Sequence, residues 1–257
     1  MNKLIIVAAA FILLQSCNAN DETKIPANDS TSTSLMGDDN DSGWVYLFNG
    51  KSMDQWHTYG KPELDAGWTI QGDSILYLDT AATARNAQGN RINNNIVTND
   101  EYGNFDLKLD WKISEKGNSG IIFYVKEDSA LYPENYNSGM EMQVLDNGTP
   151  TRLGHPDGKL YSHRAGDLYD LLAAKDAVNP LGEWNHAEIV ANNGKLDFYL
   201  NGQHTLATTL WDDNWRQMIA ISKFKDMKDF GTFKQGKISL QDHGNTVWFK
   251  NIRIRKL

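Results

Sequence analysis

Two short segments of this 257-residue chain carry side chains that can move protons, at the spacing of a strand. In M-E-M-Q-V-L-D, Met140, Met142 and Val144 alternate with Glu141 and Gln143. An extended backbone sends the apolar set to one face of a sheet and the carboxylate and amide to the other. In K-I-S-L-Q-D-H-G, Ile238 and Leu240 alternate in the same way with Ser239, Gln241 and His243. If both segments lie in one sheet, Glu141, Gln143, Gln241 and His243 converge on a patch that hydrogen-bonds hydroxyl groups and serves acid–base chemistry. Glutamine and histidine are weaker strand formers than the Thr and Val usual on solvated faces, so their recurrence in two strands favours a site over a wetted surface. Asp146 lies five residues beyond Glu141. On a regular strand it points to the opposite face, and only a bulge or the strand end brings it round.

Two further histidines, His155 and His163, fall in L-G-H-P-D-G-K-L-Y-S-H-R-A-G, a connection rich in turn residues and read as an exposed rim. A divalent metal held by His163 with Asp146 or Glu141 is the one cofactor in view, although no tight spacing such as H-E-x-x-H supports it. Tyr124 is expected on the face opposite Phe123, and Tyr161, Trp211 and Trp215 in connections, all as groove-rim aromatics. Trp111 and Trp248 within strands, and Trp68 and Trp184 at strand starts, read as core.

The elements that must position these groups are strands. F-D-L-K-L-D-W-K-I sends Phe105, Leu107, Leu109, Trp111 and Ile113 one way and charged residues the other. Similar runs start at Gly120, Ala187, Lys195, Lys237 and Thr246. N-N-G before Lys195 and N-G at Asn201 mark tight hairpins and hence antiparallel pairing. Helical signal is sparse, with D-L-Y-D-L-L-A-A-K-D from Asp167 the best candidate for a turn or two. The fold class expected is all-β, a two-sheet antiparallel sandwich. Residues 43–257 suit one such domain, for which about 200–250 residues is an ordinary length. The net charge is −8 with scattered lysines and arginines, which argues against a nucleic-acid partner.

Ahead of this domain, Lys3 precedes an apolar run from Leu4 to Leu14 and the chain then reads L-Q-S-C. The run is shorter than the roughly 20 residues of a membrane span and reads as a signal peptide over residues 1–16. L-Q-S-C resembles a bacterial lipobox, which implies lipid modification of Cys17, a membrane anchor and a place in the cell envelope, periplasmic or at the outer membrane. Cys17 is the sole cysteine, so neither an intramolecular disulfide nor a cysteine zinc site is available. Residues 17–42 are rich in Asn, Asp, Ser and Thr and read as a flexible tether.

G-N-S-G-I-I-F at Gly117, G-M-E-M-Q-V-L-D-N at Gly139, G-D-L-Y-D-L at Gly166, G-E-W-N at Gly182 and G-K-I-S-L-Q-D-H-G at Gly236 occur in this order. With W-V-Y-L-F-N-G-K-S-M-D-Q-W from Trp44 and V-W-F-K-N-I-R-I from Val247, they resemble the 3-keto-disaccharide hydrolase family across the whole domain. The resemblance implies a concanavalin A-like jelly roll with a concave saccharide-binding face. E-M-Q-V-L-D is similar to the E-x-D-x-x-E strand of laminarinase-type glucanases, with Glu141 first, Gln143 central and Asp146 last. Gln143 removes the central charge that would tune its neighbours. The family's chemistry implies elimination instead: a ketone at C3 acidifies the C2 hydrogen, and the glycosidic oxygen leaves from C1. Glu141 or His243 would then transfer protons, Lys223, Gln143 or Gln241 would contact the C3 oxyanion, and Asp146 would be a supporting or metal-binding carboxylate. Tyr124 and His163 would contact the saccharide. The alternative is a lectin-like module that binds saccharide without turnover, which needs amides and aromatics but no proton-transfer groups.

Overall fold

In the computed structural model, which describes residues 43–72 and 74–257, these alternating runs form thirteen strands. The first five are β1 (Trp44–Phe48), β2 (Trp56–Thr58), β3 (Trp68–Gln71), β4 (Ile75–Leu78) and β5 (Ile96–Thr98). Then come β6 (Phe105–Ile113), β7 (Asn118–Val125), β8 (Met140–Leu145), β9 (Asn185–Asn192) and β10 (Lys195–Leu200). β11 (Gln203–Thr209), β12 (Lys237–Leu240) and β13 (Val247–Lys256) complete the set. The predicted leader, Cys17 and the tether lie outside the described residues.

The strands make a two-sheet antiparallel β-sandwich. The larger sheet has the order β11-β10-β9-β6-β13-β4-β3 with β1 also on β13, and the smaller has the order β2-β5-β12-β7-β8. Both N-G hairpins form as the sequence predicts. Asn193 and Gly194 take φ 49° and 81°, and Asn201 and Gly202 take 51° and 77°, the paired left-handed conformations that match the twist of adjoining strands. Between the sheets, Leu107, Leu109 and Trp111 of β6 are buried with Ile121 and Phe123 of β7 and with Met140, Met142 and Val144 of β8. Burial of each large side chain stabilises the sandwich by about 1.5–3 kcal/mol.

Tyr124 departs from the predicted alternation. It sits at φ 58°, and the β7–β12 register shifts here, with Lys237 opposite Val125 but Ser239 opposite Ile122. The extra residue of this bulge turns Tyr124 into the core beside Phe123 instead of towards the groove. Its ring meets Phe105 at 5.7 Å and Phe123 at 5.6 Å, and its hydroxyl donates to the Gly103 carbonyl at 2.8 Å. Burial pushes its pKa up to about 12.

The helix expected after Asp167 does not form, because β8 claims that backbone. Gly166 N–H donates to Gln143 O, Gln143 N–H to Asp167 O and Tyr169 N–H to Glu141 O. Residues 166–169 thus cover the free edge of β8. The helix occurs instead as α1 (Asp213–Ile221), N-capped by Asp212, whose carboxylate accepts from Trp215 N–H. Trp215, proposed as a rim aromatic, is buried by this helix and donates from its indole to Gly231 O.

Part of the outer face of the smaller sheet is closed to water. Val97 and Ile122 are buried there with Val125, and the half-buried Tyr59 packs against them. The segment after β7 crosses over them, with Tyr59 hydroxyl donating to Tyr132 O and Asn135 Nδ2 to Ser239 Oγ. Because Tyr124 belongs to the core, Tyr124→Phe should lower stability by about 1 kcal/mol through its lost hydrogen bond. Denaturant unfolding measures this, and an unchanged midpoint would show that the bulge does not depend on the Gly103 contact.

Candidate active site

β7 lies between β8 and β12, so the two polar-faced segments flank one strand. Glu141 pairs with Ile122, Gln143 with Gly120, and Ser239 with Ile122 from the other side, while Gln241 N–H donates to Gly120 O. Gln143, Gly120 and Gln241 therefore form one row across the sheet. The Glu141 carboxyl folds diagonally over that row, because a Cβ on Gly120 would lie 2.0 Å from its Oε1 and 2.6 Å from its Cδ. Gly120 lies in the G-N-S-G-I-I-F motif, where sequence reasoning assigned it no role. A glycine inside a strand pattern is the available signal, since it marks close approach of another group.

Glu141 is buried and receives no hydrogen bond from any described residue. Burial raises its pKa to about 8, with Asp157 pushing the same way and Lys223 opposing. Burial therefore favours the carboxylic acid form, which is able to give a proton. Gln143 and Gln241 are buried beside it, each with a side-chain oxygen that has no hydrogen-bond partner. Lys223 follows α1 and is aimed by its backbone N–H, which donates to Asp170 Oδ2 at 2.7 Å. Its ammonium sits 3.8 Å from the centroid of the Tyr169 ring. Although the residue is exposed overall, dehydration of the ammonium lowers its pKa, against the pull of Glu141, Asp170 and Asp157. Burial drives the Tyr169 hydroxyl pKa upward, with Glu141 adding to the shift.

His243 lies two residues beyond Gln241, past the end of β12. It is exposed, and its ring stands edge-on to His155 at 6.1 Å. Crowding around the ring lowers its pKa, and His155 adds to the effect. His163 is not at an exposed rim. It is buried, packed 4.3 Å from the Tyr169 ring with Nε2 on Asp170 Oδ1 at 2.8 Å, and so supports Tyr169 from behind.

Asp146 points away from Glu141, as a regular strand dictates, and its oxygens are fully engaged. Arg152 donates to both at 2.6 Å, Lys116 N–H donates to Oδ2 and Gly148 N–H to Oδ1. These bonds, led by Arg152, outweigh burial and hold its pKa below the ordinary range. Asp146 anchors a loop and is removed from proton transfer. His163 Nε2 is committed to Asp170 and both Asp146 oxygens to Arg152, so Asp146 is not free to share a metal ion with His163. Among the described residues no group of three or more His, Cys, Asp or Glu side chains is placed to hold a metal ion.

A cavity of about 440 Å³ opens beside Asp146, lined also by Trp111, Leu145, Arg152, Arg164 and Asp176. None of Glu141, Gln143, Gln241 or His243 lines it. Asp146 and Asp176 there are each engaged by an arginine.

The family model of the 3-keto-alpha-glucoside-1,2-lyase-like domain matches residues 43–255. The chain belongs to this family. Consistent with membership in the 3-keto-alpha-glucoside-1,2-lyase-like family, it is 32% identical over 238 residues to a 3-keto-disaccharide hydrolase of Bacteroides thetaiotaomicron, spanning 84% of this chain and 79% of that protein. A Parabacteroides distasonis protein provisionally named a glycosyl hydrolase superposes with TM-score 0.70 at 28% identity, covering 84% of this chain and 94% of that one. A Bacillus subtilis protein with a galectin-like fold matches at TM-score 0.50 and 14% identity, covering 83% and 94%, a likeness of fold alone.

The raised pKa of Glu141 has a consequence for stability. The folded state holds its proton to about pH 8 while an unfolded glutamate releases it near 4.5, so stability falls as pH rises between these values and levels off above. Glu141→Gln keeps the shape without the charge. It should therefore be more stable than the parent at pH 8 by on the order of 3 kcal/mol, with the difference shrinking towards pH 5. Melting curves across this range check the sign, and equal destabilisation at every pH would mean that Glu141 is not held neutral.

Proposed function

We propose that this protein cleaves glycosidic bonds of 3-keto glycosides by elimination across C1 and C2 followed by hydration, with Glu141 as the proton donor to the departing oxygen. Family membership and the names of the relatives support a carbohydrate-active hydrolase. The observation that carries the finer reading is the Glu141 carboxyl buried over Gly120, which burial favours in its protonated form and on which Lys223 acts electrostatically. A retaining glycosidase needs an ionised carboxylate about 5–5.5 Å from its acid, to attack an oxocarbenium-like centre. Here Gln143 replaces the central acid and Asp146 is turned away onto Arg152. Elimination needs no such nucleophile, because the C3 ketone makes the C2 hydrogen acidic. It requires a proton donor for the leaving oxygen and positive or hydrogen-bonding groups for the C3 oxyanion. Lys223, Gln143 and Gln241 are suited to the second task. The leader and L-Q-S-C support action in the cell envelope from an anchor at Cys17.

Incubation with a 3-keto disaccharide and its unoxidised parent, following sugar release and enone absorbance, tests this reading. Release from the keto sugar alone is expected. Equal release from both would sink the keto requirement, and binding without release would leave a lectin-like module. Repeating the assay with a chelator tests whether a divalent metal takes part.

Gly120→Ala gives a sharper test of the site. The crowded atoms belong to the flexible end of Glu141, so the side chain moves and the fold loses only about 1 kcal/mol. Turnover should fall about 100-fold or more, since a displacement near 1 Å suffices for that. Full activity in this variant would separate Glu141 from the chemistry.

A further inference from the structure

Elimination also needs a base for the C2 proton, and a single group faces both halves of the site. Asp157 stands on the turn Pro156–Lys159, fixed at its start by Asp157 N–H donating to His155 Nδ1. Its Oδ2 accepts from Asn118 Nδ2 at 3.3 Å and lies 3.8 Å from His155 Nδ1. Asn118 is two positions before Gly120 on β7, so both belong to the same face of the sheet, about 6.6 Å apart along the strand. The Glu141 carboxyl lies over one of these positions and the Asp157 carboxylate is tied to the other. Asp157 acts electrostatically on Glu141, Lys223 and Tyr169 on one side and on His243 on the other. His243, by contrast, is acted on by His155, Asp157 and Asp242.

We propose that Asp157 is the general base of this site, taking the C2 proton of the 3-keto sugar while Glu141 protonates the leaving oxygen. The assignment rests on the 3-keto reading above and extends it. The C2–H electron pair forms the C2=C3 bond of an enolate, whose oxygen faces the donors Lys223, Gln143 and Gln241. Its collapse restores the C3 ketone, forms C1=C2 and breaks the C1–O bond, and the departing oxygen takes the Glu141 proton. Water then adds at C1, giving a proton to the Glu141 carboxylate, while Asp157 returns its proton to C2. Both groups are restored, and neither oxidant nor reductant is consumed.

The test uses the full chain in deuterated water with a 3-keto disaccharide, following sugar release together with deuterium incorporation at C2. The parent protein should do both. Asp157→Asn should lose both by about 10²–10⁴-fold, and Asp157→Ala should regain part of the exchange when formate is added. Glu141→Gln should keep C2 exchange while losing release, because the base remains. Wild-type exchange in either Asp157 variant would overturn the assignment of the base and leave the 3-keto reading standing. Absence of exchange and release in the parent would overturn both. Matching unfolding transitions for parent and variants exclude misfolding as the cause of a loss, and formate rescue of Asp157→Ala is a second readout that a purely structural role would not give.

Discussion

A carboxyl buried on the outer face of a sheet, with no hydrogen bond to hold its charge, is the constraint around which this half of the molecule is arranged. Glu141 fits only because Gly120 has no Cβ, and burial, outweighing the attraction of Lys223, favours its protonated form. Burial in turn depends on covering a face that water would otherwise wet. The segment after β7 closes over Ile122 and Ser239, and residues 166–169 close the edge of β8. Removing either covering would rehydrate the carboxyl and return it towards an ordinary glutamate.

The coverings are held by other carboxylates, and the contrast with Glu141 separates scaffold from chemistry. Asp167 accepts from the backbone N–H groups of Arg164 and Ala174, and Asp170 accepts from Lys223 N–H and faces His163. Asp242 accepts from Asn94 and Gly244 N–H and is paired with Arg91, much as Asp146 is with Arg152. Such multiply bonded carboxylates fix loops and cannot readily exchange protons. Glu141 has none of these bonds, and Asp157 has one side-chain amide and a neighbouring histidine.

The strands were legible because each is half of a period-two pattern, and β6 begins and ends where F-D-L-K-L-D-W-K-I does. The convergence of β8 and β12 on a common face was legible for the same reason, given only that they share a sheet. Tyr124 was not, because a bulge is set by tertiary packing and breaks the alternation by one residue. The stretch after Asp167 has helical spacing, yet the open edge of β8 offered its backbone better partners than a helix would. Asp157 and Tyr169 escaped notice because they sit in connections, where spacing carries no information about which groups meet. Their position follows from the turn after His155 and from the pairing with Glu141 O.

The loss of acids along β8 also bears on the chemistry. A cationic transition state is best served by carboxylates kept ionised close to the sugar. The strand instead presents an acid, an amide and an aspartate facing elsewhere, and Lys223, the cation acting on Glu141, is suited to developing negative charge. Placing a cation and a neutral acid at the reacting centre would hinder departure through an oxocarbenium ion and assist a reaction that passes through an enolate. On the elimination reading, Gln143 at the middle of the E-x-Q pattern is thus a change in the sign of the charge the site stabilises.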